Sequence, residues 1–197
     1  LSLFAISSGA LTLEADMGSV EAVGVSTPEA KIKADMGHVA VRDSEIKRLV
    51  VKSSTGAVNI NSLEAEVTDI STETGYISLE DVKSNDVRLK SETGYVKSKN
   101  VAAERVTAKT DTGLVKLKKV DADYIDAGSD TGSVNLQLVG SRDDYSLDLT
   151  NDLGVIVVDG FNNGRGIFNN SFREKRGSRQ VMANVDTGKI NVEFLGR

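Results

Sequence analysis

A short glycine motif that returns at a fixed period constrains the fold of this chain more than any other feature. It begins as Asp16-Met17-Gly18-Ser19-Val20, an acidic or serine residue, Thr or Met, glycine, any residue, then Val or Ile. The evenly spaced copies, nineteen positions apart, carry Gly18, Gly37, Gly56, Gly75, Gly94, Gly113 and Gly132. Two further copies follow at wider spacing, at Gly154 and Gly188. A fixed period of this length indicates a repeat architecture, in which each copy is one unit stacked on its neighbours.

Within each repeat, apolar and polar residues alternate with the period of a β-strand that buries one face. One inward pair lies two and four positions after the glycine, as Val58 and Ile60 do, and a second lies twelve and fourteen positions after it, as Val87 and Leu89 do. A lone aliphatic residue such as Val82 recurs between them and predicts a corner. Around the glycine the alternation skips one position, so the backbone must turn there. Glycine tolerates the positive φ and the close backbone approach that such a turn requires.

These patterns predict an all-β fold, a single-stranded parallel β-helix (β-solenoid) with about 19 residues per rung. Rungs spaced by about 4.8 Å would stack equivalent side chains around one core, among them Val58, Ile77, Val96 and Val115. A left-handed hexapeptide helix repeats in multiples of about six, so a right-handed coil is favoured. A run of β-hairpins, forming a meander or sandwich, is the alternative. We expect residues 1–197 to form one domain.

The repeat frame reaches the first residues and is interrupted near the end. Leu1, Leu3 and Ile6 fit the positions of a rung whose glycine would precede them, which predicts that the native chain continues upstream. A basic and aromatic insertion occupies about residues 162–179, and no cap is evident at the C-terminus. The insertion is predicted either to bind a partner or to cover the last rungs with its phenylalanines. Its candidate binding residues are Arg165, Phe168, Phe172, Arg173, Lys175, Arg176 and Arg179.

Two tyrosines supply a second candidate surface. Tyr76 and Tyr95 occupy the same outward position in consecutive repeats, and His38 lies in the same column. Exposed rings in a row predict either a platform for a sugar or another partner, or a ladder that only stabilises the strands. His38 is the single histidine, and the chain has no cysteine, so we expect neither a catalytic base nor a metal ligand there.

Composition and charge exclude several classes of function. A chain without cysteine has no disulfide framework and no thiol nucleophile. The net charge of −5 argues against a nucleic-acid partner, and the short apolar runs predict no membrane span. One acidic residue precedes most of the glycines, but lysines lie two positions earlier on the same face, so a row of calcium sites is not expected. Because the acids form a row and not a cluster, we expect no enzyme and no cofactor. A polysaccharide-degrading β-helix enzyme is the weaker alternative.

The repeated Thr74-Gly75-Tyr76-Ile77 motif and the final stretch from Val185 to Val192 resemble a bacterial family of β-helical domains labelled as adhesins. Its members are largely of unknown function and often occur in envelope or surface proteins. The resemblance implies a non-enzymatic, extracytoplasmic module on a rigid rod that binds cell-wall glycan or another surface macromolecule. A self-assembling scaffold, in which the ends of rods associate into filaments, is the alternative.

Overall fold

The computed structural model describes residues 1–5, 7, 9–162 and 168–196. They form one seven-stranded sheet without an α-helix in the described residues, so the all-β prediction is confirmed. A 3-10 helix at Arg142–Asp144 lies within the wider spacing before Gly154. The strands are β1 (Ser2–Phe4), β2 (Ala10–Val23), β3 (Ser26–Leu138), β4 (Tyr145–Val158), β5 (Phe161–Asn162), β6 (Phe168–Glu174) and β7 (Arg179–Phe194).

The length of the sequence repeat equals the offset between paired residues in the parallel ladder. Gly18 of β2 pairs with Gly37 of β3, and Leu3 of β1 pairs with Ala22 of β2, so both pairs are offset by one whole repeat. Ile6, which the sequence places in the same first repeat, lies outside the described residues. Drawn out straight, the 113 residues of β3 would span about 370 Å. Instead the strand turns repeatedly and brings its own repeats together.

The repeated glycines form one continuous column of backbone contacts. A Cβ atom added to Gly94 would overlap the carbonyl oxygen of Gly75 and lie 2.8 Å from its carbonyl carbon. Gly94 also has a φ of +138°, a conformation that side chains disfavour. The same contact recurs along the whole column, which runs in the order Gly18, Gly37, Gly56, Gly75, Gly94, Gly113, Gly132, Gly188 and Gly154. Only hydrogen fits at these positions after the first.

The last two repeats do not stack in chain order. In chain order, Gly154 would follow Gly132 directly. Instead β7 lies between β3 and β4, with Gly188 paired to Gly132 on one side and to Gly154 on the other. The chain therefore leaves the position next to β3 empty and forms β4 one position further along the ladder. It then returns, and β7 occupies the empty position between β3 and β4.

The insertion covers the outer edge of β4. β6 pairs antiparallel with β4, matching Phe172 to Leu149 and Phe168 to Leu153, while β5 pairs with the end of β4 at Val157 and Val158. An uncovered strand edge is a template for unwanted pairing. Although the sequence shows no obvious cap, the described part of the insertion provides one for this end of the ladder.

A single apolar core runs through the ladder from Leu13 to Val192. The four equivalent residues expected to stack are all completely buried: Val58, Ile77, Val96 and Val115. Beside the glycine column, the core is lined by a row of buried hydroxyl side chains from five consecutive repeats: Ser53, Thr72, Ser91, Thr110 and Ser129. At the capped end, side-chain amides lie beside the glycine column instead of hydroxyls. Asn151 donates to the Gly188 carbonyl at 3.0 Å, and Asn170 donates to the Gly154 carbonyl at 2.6 Å.

A second turn lies six positions after the glycine, and it is formed by residues that carry side chains. Its residues adopt a left-handed φ of 50 to 56°, where Asp and Asn are the non-glycine residues that fit best. The aliphatic corner residue predicted from the sequence follows directly and is buried, as Val82 is. The residues in this turn are Asp43, Ser62, Asp81, Asn100 and Lys119.

Substituting one glycine of the column tests the backbone contact. We expect Gly94→Ala to reduce the free energy of unfolding by more than about 4 kcal/mol, because the neighbouring backbone must move to admit a methyl group. Gly9→Ala is the control, since a Cβ at Gly9 meets nothing within 4 Å. Urea unfolding followed by circular dichroism measures both. A loss at Gly94 no larger than that at Gly9 would contradict the stacking.

A disulfide test distinguishes the observed strand order from chain order. Asp126 and Asp148 are both register partners of Met182, from opposite sides of β7, and the chain has no cysteine of its own. We expect Asp126→Cys with Met182→Cys to oxidise to a disulfide, because adjacent strands place the Cα atoms about 4.8 Å apart. Asp126→Cys with Asp148→Cys should stay reduced. Non-reducing electrophoresis after mild oxidation reads the result, and efficient cross-linking of the second pair alone would support chain order instead.

Candidate functional site

Tyr76 and Tyr95 lie on the outer face of the strand segment that follows each glycine. Their side chains are 40% and 52% exposed, and they share a column because Gly75 and Gly94 stack. No ring contact joins them in the described part of the chain. Instead the Lys97 ammonium lies 5.4 Å from the centre of the Tyr95 ring, a cation–π contact. The two rings are therefore accessible neighbours and not a stacked pair.

The column continues with polar side chains on the side of His38. The Asn59 amide lies 3.4 Å from the Tyr76 hydroxyl, to which it donates, and 3.4 Å from both ring nitrogens of His38. These are long, weak hydrogen bonds. They align three polar side chains from three repeats without creating a base that points at a reacting centre.

Lysines accompany the tyrosines on this face, and sequence reasoning did not single them out. Lys97 and Lys116 are one repeat apart, and so are Lys99 and Lys118. All four line one cleft of about 310 Å³ together with Glu80. Their spacing in the sequence could have identified them, since the lysines of each pair occupy the same position in consecutive repeats. We call this surface the tyrosine–lysine face, and it consists of Tyr76, Tyr95, Lys97, Lys99, Lys116 and Lys118.

Most of the positive charge on this face lies outside the ion pairs of the described chain, although Glu193 shares an adjoining cleft with Lys116 and Lys118. Lys99 forms an ion pair with Glu80, whose hydrogen bond raises the pKa of the lysine. Within the described residues, Lys97, Lys116 and Lys118 form no ion pair. The face therefore presents cations to solvent.

The arginines in the described part of the insertion are engaged within the chain. Arg173 binds Asp148 with 3.0 Å between Nε and Oδ1. Arg176 bridges two acids, at 2.6 Å to Asp143 and 2.9 Å to Glu174. Arg173 and Arg176, two of the cations that suggested a binding loop, thus join the cap to β4 and to the turn before it.

Arg179 closes the other end of the insertion. It pairs with Asp121 at 2.8 Å and donates a 3.1 Å hydrogen bond to the hydroxyl of Tyr145. Tyr145 is fully buried, donates to the Val139 carbonyl at 2.7 Å, and packs against Phe194. Burial raises the pKa of Tyr145, and the Arg179 guanidinium opposes that rise. This cluster fixes the junction of β4 and β7.

The remaining insertion residues divide between cap and surface. Phe172 packs against the core beneath the Arg142 guanidinium, whereas Phe168 is 67% exposed. Lys175 forms no ion pair in the described chain and lines a cleft of about 430 Å³ between β4, β6 and β7. Arg165 lies outside the described residues.

The predicted site residues therefore form two separate surfaces. Gly94 and Gly154 are four steps apart in the column, which is about 19 Å at the spacing of paired strands. The described residues contain no group of three or more His, Asp, Glu or Cys side chains arranged to hold a metal ion. No helix among them is long and apolar enough to cross a membrane.

The ion pairs of the cap predict a response to acid. Glu174 is 18% exposed and accepts from Arg142 at 2.7 Å and from Arg176 at 2.9 Å. Burial alone would raise the pKa of Glu174, but the two arginines outweigh it and hold the pKa below its ordinary value. A lowered native pKa stabilises the fold above the unfolded pKa of about 4.3, and this contribution is lost as the pH falls through the native pKa.

We expect Glu174→Gln to lower the free energy of unfolding at pH 7 by about 1–3 kcal/mol. Its stability should also fall less than that of the wild type between about pH 5 and pH 3. Thermal and urea unfolding across this range provide the measurement. Glu104→Gln, at an exposed position without an ion pair in the described chain, is the control. An acid response in Glu174→Gln equal to that of the wild type would refute the assignment.

The family model described as Toastrack DUF4097, a domain of unknown function, matches residues 2–81 and again residues 66–193. No curated protein and no solved structure matches the chain. The two family matches overlap within β3 and together span the whole ladder from β1 to β7. The name suggests a solenoid-like β fold, in keeping with the parallel register described above. The chain therefore belongs to the Toastrack family, DUF4097.

Proposed function

We propose that the chain is a right-handed, single-stranded parallel β-helix with about 19 residues per turn, each turn being one sequence repeat. We further propose that it acts as a non-enzymatic binding or display module, extracytoplasmic and associated with the cell surface or envelope, in the manner of an adhesin. The one-repeat register of β1, β2 and β3 supports the coil. The resemblance of the repeat to envelope-associated domains supports the location.

The glycine column is the observation that carries this proposal. Because a Cβ does not fit above the preceding carbonyl group, adjacent repeats are held in one register. Outward side chains are consequently fixed in rows at intervals of about 4.8 Å. A surface with a fixed repeat suits a ligand that is itself repetitive, such as a glycan polymer, since one ligand chain can contact several rows at once.

The distribution of acids favours binding over catalysis. The acids that precede the glycines occur one per repeat, as Asp35, Glu73 and Asp111 do, and therefore spread along the ladder. Hydrolysis of a glycosidic bond requires two carboxyl groups that flank one bond. Lysines share the face with these acids, and Lys33 pairs with Asp35 at 3.5 Å. A regular lattice of charges is the arrangement expected of a solvated surface.

Covering of β4 argues against the filament alternative. An open filament of end-to-end rods requires an available strand edge at both ends. β5 and β6 occupy the outer edge of β4, which leaves the β1 and β2 end as the edge with the fewest partners among the described strands. Light scattering should give a molecular mass that does not increase with protein concentration. Growth into long polymers would favour the scaffold.

A glycan array and a pull-down from bacterial envelope extracts test the proposed function with purified protein. We expect retention on at least one extended polysaccharide, with affinity for a ten-sugar oligomer at least tenfold above that for a disaccharide, because longer chains reach more rows. Heat-denatured wild-type protein is the control for specific retention. Failure of the native protein to retain any glycan or any envelope component would contradict a display role.

A further inference from the structure

We infer that the tyrosine–lysine face binds a linear anionic polysaccharide that carries one carboxylate per sugar. The inference rests on the proposed display function and adds to it a location and a chemical class of ligand. Its four lysines form a two-by-two grid, with neighbours about 6.8 Å apart along a strand and about 4.8 Å apart between strands. The shared cleft shows that these side chains converge on one space.

Charge complementarity identifies an anion as the occupant. Like charges opposite one another on neighbouring strands destabilise a sheet, yet Lys97 faces Lys116, and Lys99 faces Lys118. On the strand segment that precedes each glycine, Lys33 pairs with Asp35 and Lys109 pairs with Asp126, whereas Lys52 and Lys90 form no ion pair in the described chain. On the tyrosine–lysine face, Glu80 supplies the one carboxylate of the shared cleft. Carboxylates spaced along a polymer would complete the missing pairs.

The neighbouring side chains suit a sugar backbone. Tyr76 and Tyr95 present exposed rings against which the apolar C–H face of a sugar can pack, and their hydroxyls remain available for hydrogen bonds. On the other side of the lysines, Asn135, Gln137 and Asn191 line an adjoining cleft of about 330 Å³ together with Glu193, to which the Asn191 amide donates at 3.0 Å. Amides both donate and accept hydrogen bonds, as recognition of sugar hydroxyls requires. The face thus offers rings, cations and amides in sequence along the stack.

The rest of the chain disfavours nucleic acid as the occupant. Duplex DNA carries about one charge per 1.7 Å, and its binding depends on a large positive footprint. Here four lysines, one already paired, are set in a chain of net charge −5, so the long-range field repels so dense a polyanion. A polymer with one charge per sugar matches the small number of cations.

Binding of polygalacturonate, measured by biolayer interferometry at about 50 mM salt with dextran as the neutral comparison, tests the inference. We expect the wild type to bind polygalacturonate and the affinity to fall at least tenfold in about 0.5 M salt, which screens exposed charges. Lys116→Gln with Lys118→Gln should weaken binding at least tenfold, and Tyr95→Ala several-fold. Lys52→Gln with Lys90→Gln removes the same charge from exposed positions on the other strand segment and should bind as the wild type does.

Equal weakening by both lysine double variants would overturn the assignment of the face, because it would show an effect of net charge alone. Tighter binding of duplex DNA than of polygalacturonate would overturn the class of ligand. If the wild type binds neutral glycans but not polygalacturonate, the inference fails while the proposed display function stands. If it binds no glycan and no envelope component, both fail. Circular dichroism of each variant establishes that a loss of binding is not a loss of fold.

Discussion

The contact between each glycine and the backbone of the preceding repeat is the constraint on which the ladder depends. Most sheets are held in register by side chains that can be exchanged for others of similar size. Here the backbones approach too closely for any side chain, and the positive φ of the turn adds a second requirement that glycine meets. The polar face can therefore vary without altering the scaffold, provided that the column is kept.

The two ends of the insertion show how the chain completes a stack that would otherwise expose a strand edge. β6 reverses direction against β4, which ends the parallel ladder. Arg142, Arg176 and Glu174 hold that cap, and Arg179 anchors the return of the chain to β7 through Tyr145. The cations that stood out in the sequence are used mainly to assemble this end. The cations with least compensation lie instead on the regular repeats, as the lysines of the tyrosine–lysine face do.

Much of the architecture follows from the sequence because the repeat imposes its own register. The inward residues, the glycine turn and the buried aliphatic corner are all read from periodicity, and Val96 and Val115 lie as expected. The strand order could not be read in this way, because Gly154 and Gly188 carry the same motif and nothing local indicates which lies next to Gly132. The role of Arg173 was also hidden, since its partner Asp148 is distant in the chain. In the sequence, the four lysines of the grid can be found as two pairs, each pair one repeat apart. The ladder is needed to show that the two pairs form one surface.

The position of β7 has a consequence for synthesis of the protein. While the ribosome is still producing residues after Val158, the strand segment around Gly132 lacks its native neighbour, and β4 has no parallel partner either. Both must wait for β7, which follows them in the chain and pairs back to segments of β3 and β4 that left the ribosome well before it. The long ladder before it pairs one repeat at a time and can form as the chain emerges. The nascent molecule thus carries an ordered ladder in which the position of β7 is still empty, and the filling of that position is the step most open to chaperones or to pairing with a second chain.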